Sequence, residues 1–221
     1  MTQGDGELKP QAVLFDWDNT LVDSWPIIHD ALNTTFRAFG LRPWTLSETR
    51  QKVRHSMRDN FPKLFGVRWE VAGVVFYKHY GAIHAKKLEP TNGAEEMLHG
   101  LSVAGIYLGI VSNKKGDFLR TEAAHLGWDR YFGGIVGAND AKNDKPAADP
   151  VGLALAGSGI PLGRDVWLVV DADIDMECAD NAGCVPVLIR NNSPGTGEFT
   201  DHPPARHFDG CLALSKYVRK L

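Results

Sequence analysis

The feature that most constrains the fold is a short apolar run that ends abruptly in two carboxylates. Ala12 to Phe15 carry no charge and predict a buried strand, and Asp16 and Asp18 follow at once. In an extended chain, residues i and i+2 point the same way, so both carboxylates should face one small volume. The pair predicts a bound cation or one raised pKa, because like charges this close repel. A plain turn is the alternative, since Asp favours turns.

Beyond residue 90 the chain alternates between short extended runs and helical segments. The predicted strands are 105–111, 134–137, 166–170, 185–189 and 206–209. Strands that alternate with helices of about ten to fifteen residues indicate a mostly parallel sheet covered on both faces. We therefore predict an α/β fold, with a Rossmann-like doubly wound sheet formed by residues 1–23 and 91–221.

Residues 24–90 interrupt this pattern with helical spacing and no convincing strand. The predicted helices are 27–39, 48–58, 61–65 and 70–87. We predict that this insertion is an all-helical cap domain. It carries 11 Lys and Arg against 5 Asp and Glu, a net charge of +6, whereas the rest of the chain carries 13 against 22, a net charge of −9. The asymmetry suggests a basic lid over an acidic floor, although basic residues also simply solvate helices.

Composition excludes several classes of protein. A hydrophobic fraction of 43% in 221 residues can fill a core, and a net charge of −3 argues against a nucleic-acid partner. No window approaches the ~18 apolar residues of a membrane span, and the polar N-terminus shows no signal peptide. We expect no membrane partner, a cytoplasmic location, and a monomer or homodimer. Cys178, Cys184 and Cys211 form no Cys-x-x-Cys pair, and we expect them to be reduced and buried.

Polar residues that could do chemistry follow several predicted strands. They are Asp16 and Asp18, Ser112 and Asn113, and Asp171. Two further acids, Asp173 and Asp175, continue the last group at alternate positions. In a parallel sheet the strand ends lie side by side, so these carboxylates should gather at one edge. A hard cation could hold them together, and Mg²⁺ fits better than zinc because no His or Cys is near them in sequence.

Two polar sites allow more than one interpretation. Ser112 and Asn113 precede a predicted helix, where they could bind an anion or serve as an ordinary N-cap. Lys145 lies in a polar loop beside Pro146, which restricts the backbone; it could act in the site or be a solvated surface residue.

With these residues in place, the sequence resembles the haloacid dehalogenase (HAD) superfamily, in particular its phosphoglycolate-phosphatase-like branch with a helical cap. The resemblance covers nearly the whole chain through four motifs in order. They are Asp16–Asp23, Val111–Asn113, Lys145–Pro146 and Val169–Asp175. The helical insertion occupies the place where the family has its cap, and the resemblance implies a HAD-like core.

The resemblance implies a Mg²⁺-dependent phosphatase for a small phosphorylated metabolite. Asp16 would be the nucleophile that forms an aspartyl-phosphate, and Asp18 would act as acid and then as base. Mg²⁺ would lie between Asp16, the Asp18 carbonyl and Asp171, with Asp175 behind these ligands. The phosphate would be bound by Ser112, the backbone of Asn113, Lys145 and Thr20, and Lys145 would also act in catalysis.

Departures from the family pattern are few. Val170 replaces the usual Gly before the fourth-motif Asp, Ala172 replaces Ser, and Asn19 replaces the commoner Gly of the first motif. Two alternative functions stay open: a phosphomutase, which keeps the same pair of aspartates, and a non-hydrolytic protein that takes up phosphate on Asp16 as a switch. Asp18 argues against the switch, because a stable phosphoaspartate needs no acid–base partner.

The cap should select the substrate. Arg54, His55 and Arg58 form a basic, polar stretch near a turn and could face the phosphate site, or could lie on a helix surface. We assign His79 and His84 to packing or to the surface. The two links near Ser24 and Pro90 are candidate hinges, since a cap must open and close around its substrate.

Overall fold

The computed structural model describes residues 9–53 and 57–221. The strands in it are β1 (Ala12–Phe15), β2 (Val22–Asp23), β3 (Glu89–Pro90), β4 (Tyr107–Lys115), β5 (Gly134–Ala138), β6 (Val166–Val170), β7 (Val185–Ile189) and β8 (Arg206–Phe208). The helices are α1 (Trp25–Ala38), α2 (Leu46–Lys52), α3 (Met57–Phe65), α4 (Trp69–Lys87), α5 (Ala94–Val103), α6 (Gly116–His125), α7 (Asp149–Ala154), α8 (Asp173–Asn181) and α9 (Cys211–Val218). Short 3₁₀ turns occupy Gly66–Arg68 and Asp129–Tyr131.

Six strands form one parallel sheet in the order β5-β4-β1-β6-β7-β8. This confirms the predicted α/β class with its parallel sheet. Phe15 pairs in register with Ile110 of β4 and with Val169 of β6. The ends of β1 and β6 therefore lie within one residue of each other, and β4 continues past both, which brings the residues around these ends together at one edge of the sheet.

Apolar layers cover both faces of the sheet. On β1, Val13 and Phe15 pack with Leu101 of α5, whereas Leu14 packs on the opposite side with Met176 of α8. The residues of β1 and β6 are all buried. Strands buried on both faces read as continuous apolar runs, which explains why these two were the clearest in the sequence.

The insertion is helical, as predicted, and has an apolar core of its own. Leu32, Phe36, Phe61, Phe65 and Ala72 form a buried cluster within α1, α3 and α4. The prediction of one helix over 48–58 was wrong in its bounds. The helix α2 ends at Lys52 because Val53 is extended, with φ −93° and ψ 96°; residues 54–56 lie outside the described residues.

A two-stranded ribbon joins the insertion to the core, where the sequence predicted no strand. Val22 pairs with Pro90, and Asp23 pairs with Glu89, in antiparallel fashion. Strands of two residues carry no readable periodicity, so sequence reasoning missed them. The ribbon places the two ends of the insertion side by side, at the links predicted to be hinges.

The strand β4 is longer than predicted and contains Ser112 and Asn113. Its pairing with β5 shifts register between Val111 and Lys115, and α6 begins at Gly116. Ser112 and Asn113 thus precede a helix, as predicted, but the N-cap of that helix is Lys115, so neither of them serves as the N-cap. The turn is tight: a Cβ on Gly137 of β5 would lie 2.5 Å from the Cα of Gly116.

Cys178, Cys184 and Cys211 are free and buried, as predicted. Among the described residues, no helix combines the length and the apolar character needed to cross a membrane.

Candidate active site

A cavity of about 310 Å³ lies between the sheet edge and the helical insertion. The predicted site residues that line it are Asp16, Asp18, Ser112, Asn113, Lys145, Asp171 and Asp175. Thr20 is buried next to them, and its hydroxyl lies 3.4 Å from Asp171 Oδ1. The structure thus brings together residues from all four sequence motifs.

The loop after β1 sets the directions of the first two aspartates. Asn19 has φ 65°, in the left-handed region that Asn tolerates better than most residues. The Asn19 N–H donates to the Val22 carbonyl at 2.6 Å, which closes the loop. Trp17 is fully buried, whereas Asp16 and Asp18 on either side of it both line the cavity. The alternation predicted from the sequence therefore holds through this turn.

Lys145 is buried between two carboxylates. Its Nζ lies 2.6 Å from Asp16 Oδ1 and 2.5 Å from Asp175 Oδ1. Burial lowers the pKa of Lys145, but Asp16 and Asp175 outweigh this effect and raise the pKa above its ordinary value. Asn113 fixes the backbone here: its Nδ2 donates to the Lys145 carbonyl, and its Oδ1 accepts from the Lys145 N–H. Asn113 thus uses its side chain to hold Lys145 in place.

Asp16, Asp171 and Asp175 form an acidic cluster. Each offers an oxygen atom that lies within 4.8 Å of those from the other two. Burial raises the pKa of Asp16 to about 7, against the attraction of Lys145 and with a contribution from Asp175. Burial and repulsion by Asp16 also raise the pKa of Asp171. Crowded, dehydrated carboxylates with these pKa values could hold a cation, and an all-oxygen donor set fits Mg²⁺.

The carboxylate of Asp18 faces a partner that the sequence analysis did not identify. Asp18 Oδ1 lies 2.6 Å from the Nζ of Lys114, which also lies 2.5 Å from Glu122 Oε2. Lys114 and Glu122 are both buried. Burial lowers the pKa of Lys114, but attraction by Asp18 and by Glu122 raises it well above the ordinary value. One signal was available: Lys114 lies two residues after Ser112 and so shares its side of the strand.

Glu122 accepts hydrogen bonds from several elements at once. Its Oε2 accepts from Trp17 Nε1 at 2.6 Å, and its Oε1 accepts from the Tyr80 hydroxyl at 2.9 Å. The Nδ1 of His84 lies 2.8 Å from the same Oε1. Burial alone would raise the pKa of Glu122, but the contacts with His84, Lys114 and Trp17 outweigh burial and lower the pKa to about 2. His84 therefore belongs to a polar network that joins α4 to the core.

The insertion supplies an apolar wall to the cavity. Ile28, Phe76, Tyr77 and Tyr80 line it, and Phe118 of α6 packs against the two tyrosines. Tyr77 stacks on Phe118, with ring centroids 5.4 Å apart.

The predicted basic stretch of the insertion is described only in part. Arg54 and His55 lie outside the described residues. Arg58 Nη2 lies 2.6 Å from Asp144 Oδ2, so this arginine pairs with a core acid that precedes Lys145 in the chain. The prediction that these residues contact the substrate stays a prediction.

Comparisons with known proteins show which proteins the chain is similar to. The family model described as "Haloacid dehalogenase-like hydrolase" matches residues 13–189. A phosphoglycolate phosphatase of Xylella fastidiosa is 30% identical, over 83% of this chain and 81% of that protein. The pyrophosphatase PpaX of Halalkalibacterium halodurans is 28% identical, over 82% and 84%. The crystal structure of a predicted phosphoglycolate phosphatase from Haemophilus somnus superposes with a TM-score of 0.84 at 19% identity, over 96% of this chain and 99% of that one.

Proposed function

Because the chain belongs to the haloacid dehalogenase-like hydrolases, we propose that it is a Mg²⁺-dependent phosphatase that hydrolyses a small phosphate monoester. One observation carries this proposal. Asp16, in contact with Lys145, faces the same cavity as Asp18, and the acidic cluster lies beside them. A nucleophile, a separate acid–base group and a place for a cation are the parts that phosphoryl transfer requires.

Each residue has a distinct task in this mechanism. Asp16 attacks phosphorus, and the bond from phosphorus to the substrate oxygen breaks as Asp18 gives that oxygen a proton. Asp18 then takes a proton from water, whose oxygen attacks the aspartyl-phosphate. This second step releases phosphate and restores Asp16.

The remaining residues of the site bind and orient the phosphoryl group. Lys145 and Ser112 supply donors to its oxygens, and Asn113 keeps the Lys145 backbone in place. The residues that would hold Mg²⁺ are Asp16, Asp171 and the carbonyl of Asp18, with Asp175 beside them. When bound, Mg²⁺ would neutralise charge on the transferring group.

The substrate is of the phosphoglycolate type: a small metabolite with one phosphoryl group. The relatives named for phosphoglycolate and for pyrophosphate have similar identity to this chain. The residues that the insertion contributes to the cavity wall therefore determine which of these substrates binds. This wall is largely aromatic and aliphatic among the described residues.

The test is phosphate release from a panel of phosphoglycolate, sugar phosphates, nucleoside monophosphates and pyrophosphate, with Mg²⁺ or with a chelator. We expect release that requires Mg²⁺ and that falls by at least ~10³-fold in Asp16→Asn. Asp129→Asn makes the same chemical change at an exposed residue outside the cavity lining and should leave the rate unchanged.

Two results would overturn the proposal. Release that survives chelation, or survives Asp16→Asn, would rule out this mechanism. No release from any ester, with folded protein and Mg²⁺ present, would favour the phosphomutase or the switch. Those two differ in whether Asp16 passes its phosphoryl group to a second sugar phosphate or retains it.

A further inference from the structure

One buried polar network lies outside the mechanism above. Lys114 touches Asp18 and Glu122 at 2.6 and 2.5 Å, and its side chain is 6% exposed. The side chain of Asp18 is 20% exposed and lines the cavity. Lys114 lines the same cavity and contacts one oxygen of the acid–base residue. A buried lysine costs desolvation energy, which its two ion pairs must offset.

Glu122 fixes Lys114 in turn, and its partners come from three separate elements. Trp17 belongs to the loop that carries Asp16 and Asp18, Lys114 belongs to β4, and Tyr80 and His84 belong to α4 of the insertion. The carboxylate thus connects the catalytic loop, the sheet and the cap helix through direct contacts.

We propose that Lys114 is a positioning residue for Asp18, and that Glu122 makes this positioning depend on the docking of helix α4. The inference rests on the proposed phosphatase function. Docked α4 gives Glu122 the hydroxyl of Tyr80 and the ring of His84. If α4 moves away, these two contacts are lost and Glu122 keeps Trp17 and Lys114. Lys114 is then drawn toward Glu122 and holds Asp18 less firmly. Asp18 is therefore fully positioned for proton transfer only when α4 is docked.

This arrangement affects the two chemical steps differently. Asp18 gives a proton to the leaving oxygen in the first step and takes one from water in the second. An aryl phosphate such as p-nitrophenyl phosphate leaves as a stable phenolate and needs little help from an acid. Loss of Lys114 should therefore spare the first step with this substrate and slow hydrolysis of the aspartyl-phosphate.

The decisive experiment is pre-steady-state release of p-nitrophenol by wild type and Lys114→Met. We expect the variant to release a burst of about one equivalent per site, then to turn over ~10–100-fold more slowly than wild type. Phosphorylated Asp16 should accumulate during turnover and be detected after acid quench. The affinity for inorganic phosphate, measured by calorimetry, should change little, because Lys145 and Ser112 are untouched.

A purely structural role gives a different result. If Lys114→Met only disturbed the packing around the site, the variant would show no burst, and its phosphate affinity would fall together with its turnover rate. That outcome, or a turnover rate equal to that of wild type, would overturn the inference. The wild-type protein and Asp16→Asn in the same assay report on the phosphatase function itself. Failure of the positioning role is thus separable from failure of the proposed function.

A second variant keeps the inference testable if Lys114→Met does not fold. Tyr80→Phe removes the hydroxyl that donates to Glu122 and keeps the ring that stacks on Phe76 and His84. We expect a lower kcat with an unchanged KM. The matched control is Tyr107→Phe, which also loses one hydroxyl, bonded at 2.8 Å to the Ala154 carbonyl and outside the cavity lining. Equal kcat values for Tyr80→Phe and wild type would refute the link through α4.

Discussion

Two buried lysines divide the floor of the cavity, and they differ in their surroundings. Lys145 lies between Asp16 and Asp175 at 2.6 and 2.5 Å. Lys114 lies between Asp18 and Glu122 at the same two distances. Each lysine thus contacts one proposed catalytic aspartate and one second acid.

Asp16 beside Lys145 and Glu122 beside Lys114 have pKa shifts in opposite directions. Near Lys145, burial and the neighbouring acids raise the pKa of Asp16 to about 7. Near Lys114, the donors around Glu122 overcome the effect of burial and bring its pKa to about 2. The Lys145 side has an excess of carboxylates that a cation would relieve. On the Lys114 side, donors from the loop after β1, from β4 and from α4 surround Glu122, which suits a support that depends on how these elements pack.

Lys145→Met should produce the largest effect of the variants that compare the two lysines. It removes a hydrogen-bond donor to the phosphoryl group. It also removes the ammonium group that lies between Asp16 and Asp175. We expect kcat/KM to fall by about 10³-fold, with weaker binding of inorganic phosphate. Lys114→Met should lower the turnover rate and spare phosphate affinity. Steady-state kinetics and calorimetry on both variants test the contrast, and equal losses of phosphate affinity would remove it.

The two lysines also show what the sequence could predict. Ser112 and Asp171 were identified because each follows a predicted strand, and parallel strands gather their ends at one edge. The same reasoning predicted the parallel sheet and the helical insertion. Lys145 lies in a polar loop and was assigned to the site only through the resemblance to the HAD superfamily.

Lys114 was missed, although it shares the side of Ser112 on β4, because the network that gives it a role joins elements that are distant in sequence. Glu122 lies on the next helix, and Tyr80 and His84 come from the cap, 42 and 38 residues before Glu122. A helical acid that faces apolar neighbours reads as an ordinary surface residue until the packing of three elements is known. The β2–β3 ribbon was not predicted for a related reason, since its two strands pair across the whole insertion.

Glu122→Gln should have the next largest effect, on stability. The change leaves Lys114 buried with less opposing charge, and such a loss costs about 3–5 kcal/mol in buried pairs. Urea unfolding of the variant should show a lower midpoint at unchanged slope. Glu96→Gln is the matched control, because Glu96 is exposed and lies 3.9 Å from Arg219. A free energy of unfolding for Glu122→Gln that matched this control would show that the network contributes little.

Magnesium should stabilise the protein more at high pH than at low pH. The raised pKa of Asp16 means that, without metal, the folded state binds protons that the unfolded state does not, so stability falls as pH rises through about 7. Mg²⁺ relieves this repulsion once Asp16 is ionised. The increase in Tm on adding Mg²⁺ should therefore grow from about pH 5.5 to about pH 8.

The Lys114 side provides the contrast for this pH experiment. The lowered pKa of Glu122 gives stability that is complete above its unfolded value and is lost only as pH falls toward 2. Glu122 should therefore not contribute to the change in Tm between pH 5.5 and 8. In Asp16→Asn, the growth of the Mg²⁺ effect with pH should be reduced. The same growth in that variant would place the metal away from Asp16.

Arg58→Ala should have the smallest effect. The contacts between the insertion and the core are buried near Lys114, whereas the Arg58 side chain near Lys145 is partly exposed. On the Lys114 side, Tyr80 and His84 are buried against Glu122. On the Lys145 side, Arg58 pairs with Asp144, and the arginine side chain is 46% exposed. The carboxylate of Asp144 is buried and also accepts from the Asn139 N–H, whereas solvent screens the arginine, so the pair contributes about 1 kcal/mol. We expect kcat/KM within about twofold of wild type and a slightly lower Tm. A large increase in KM for Arg58→Ala would instead mean that Arg58 leaves Asp144 to bind the substrate, as the sequence first suggested.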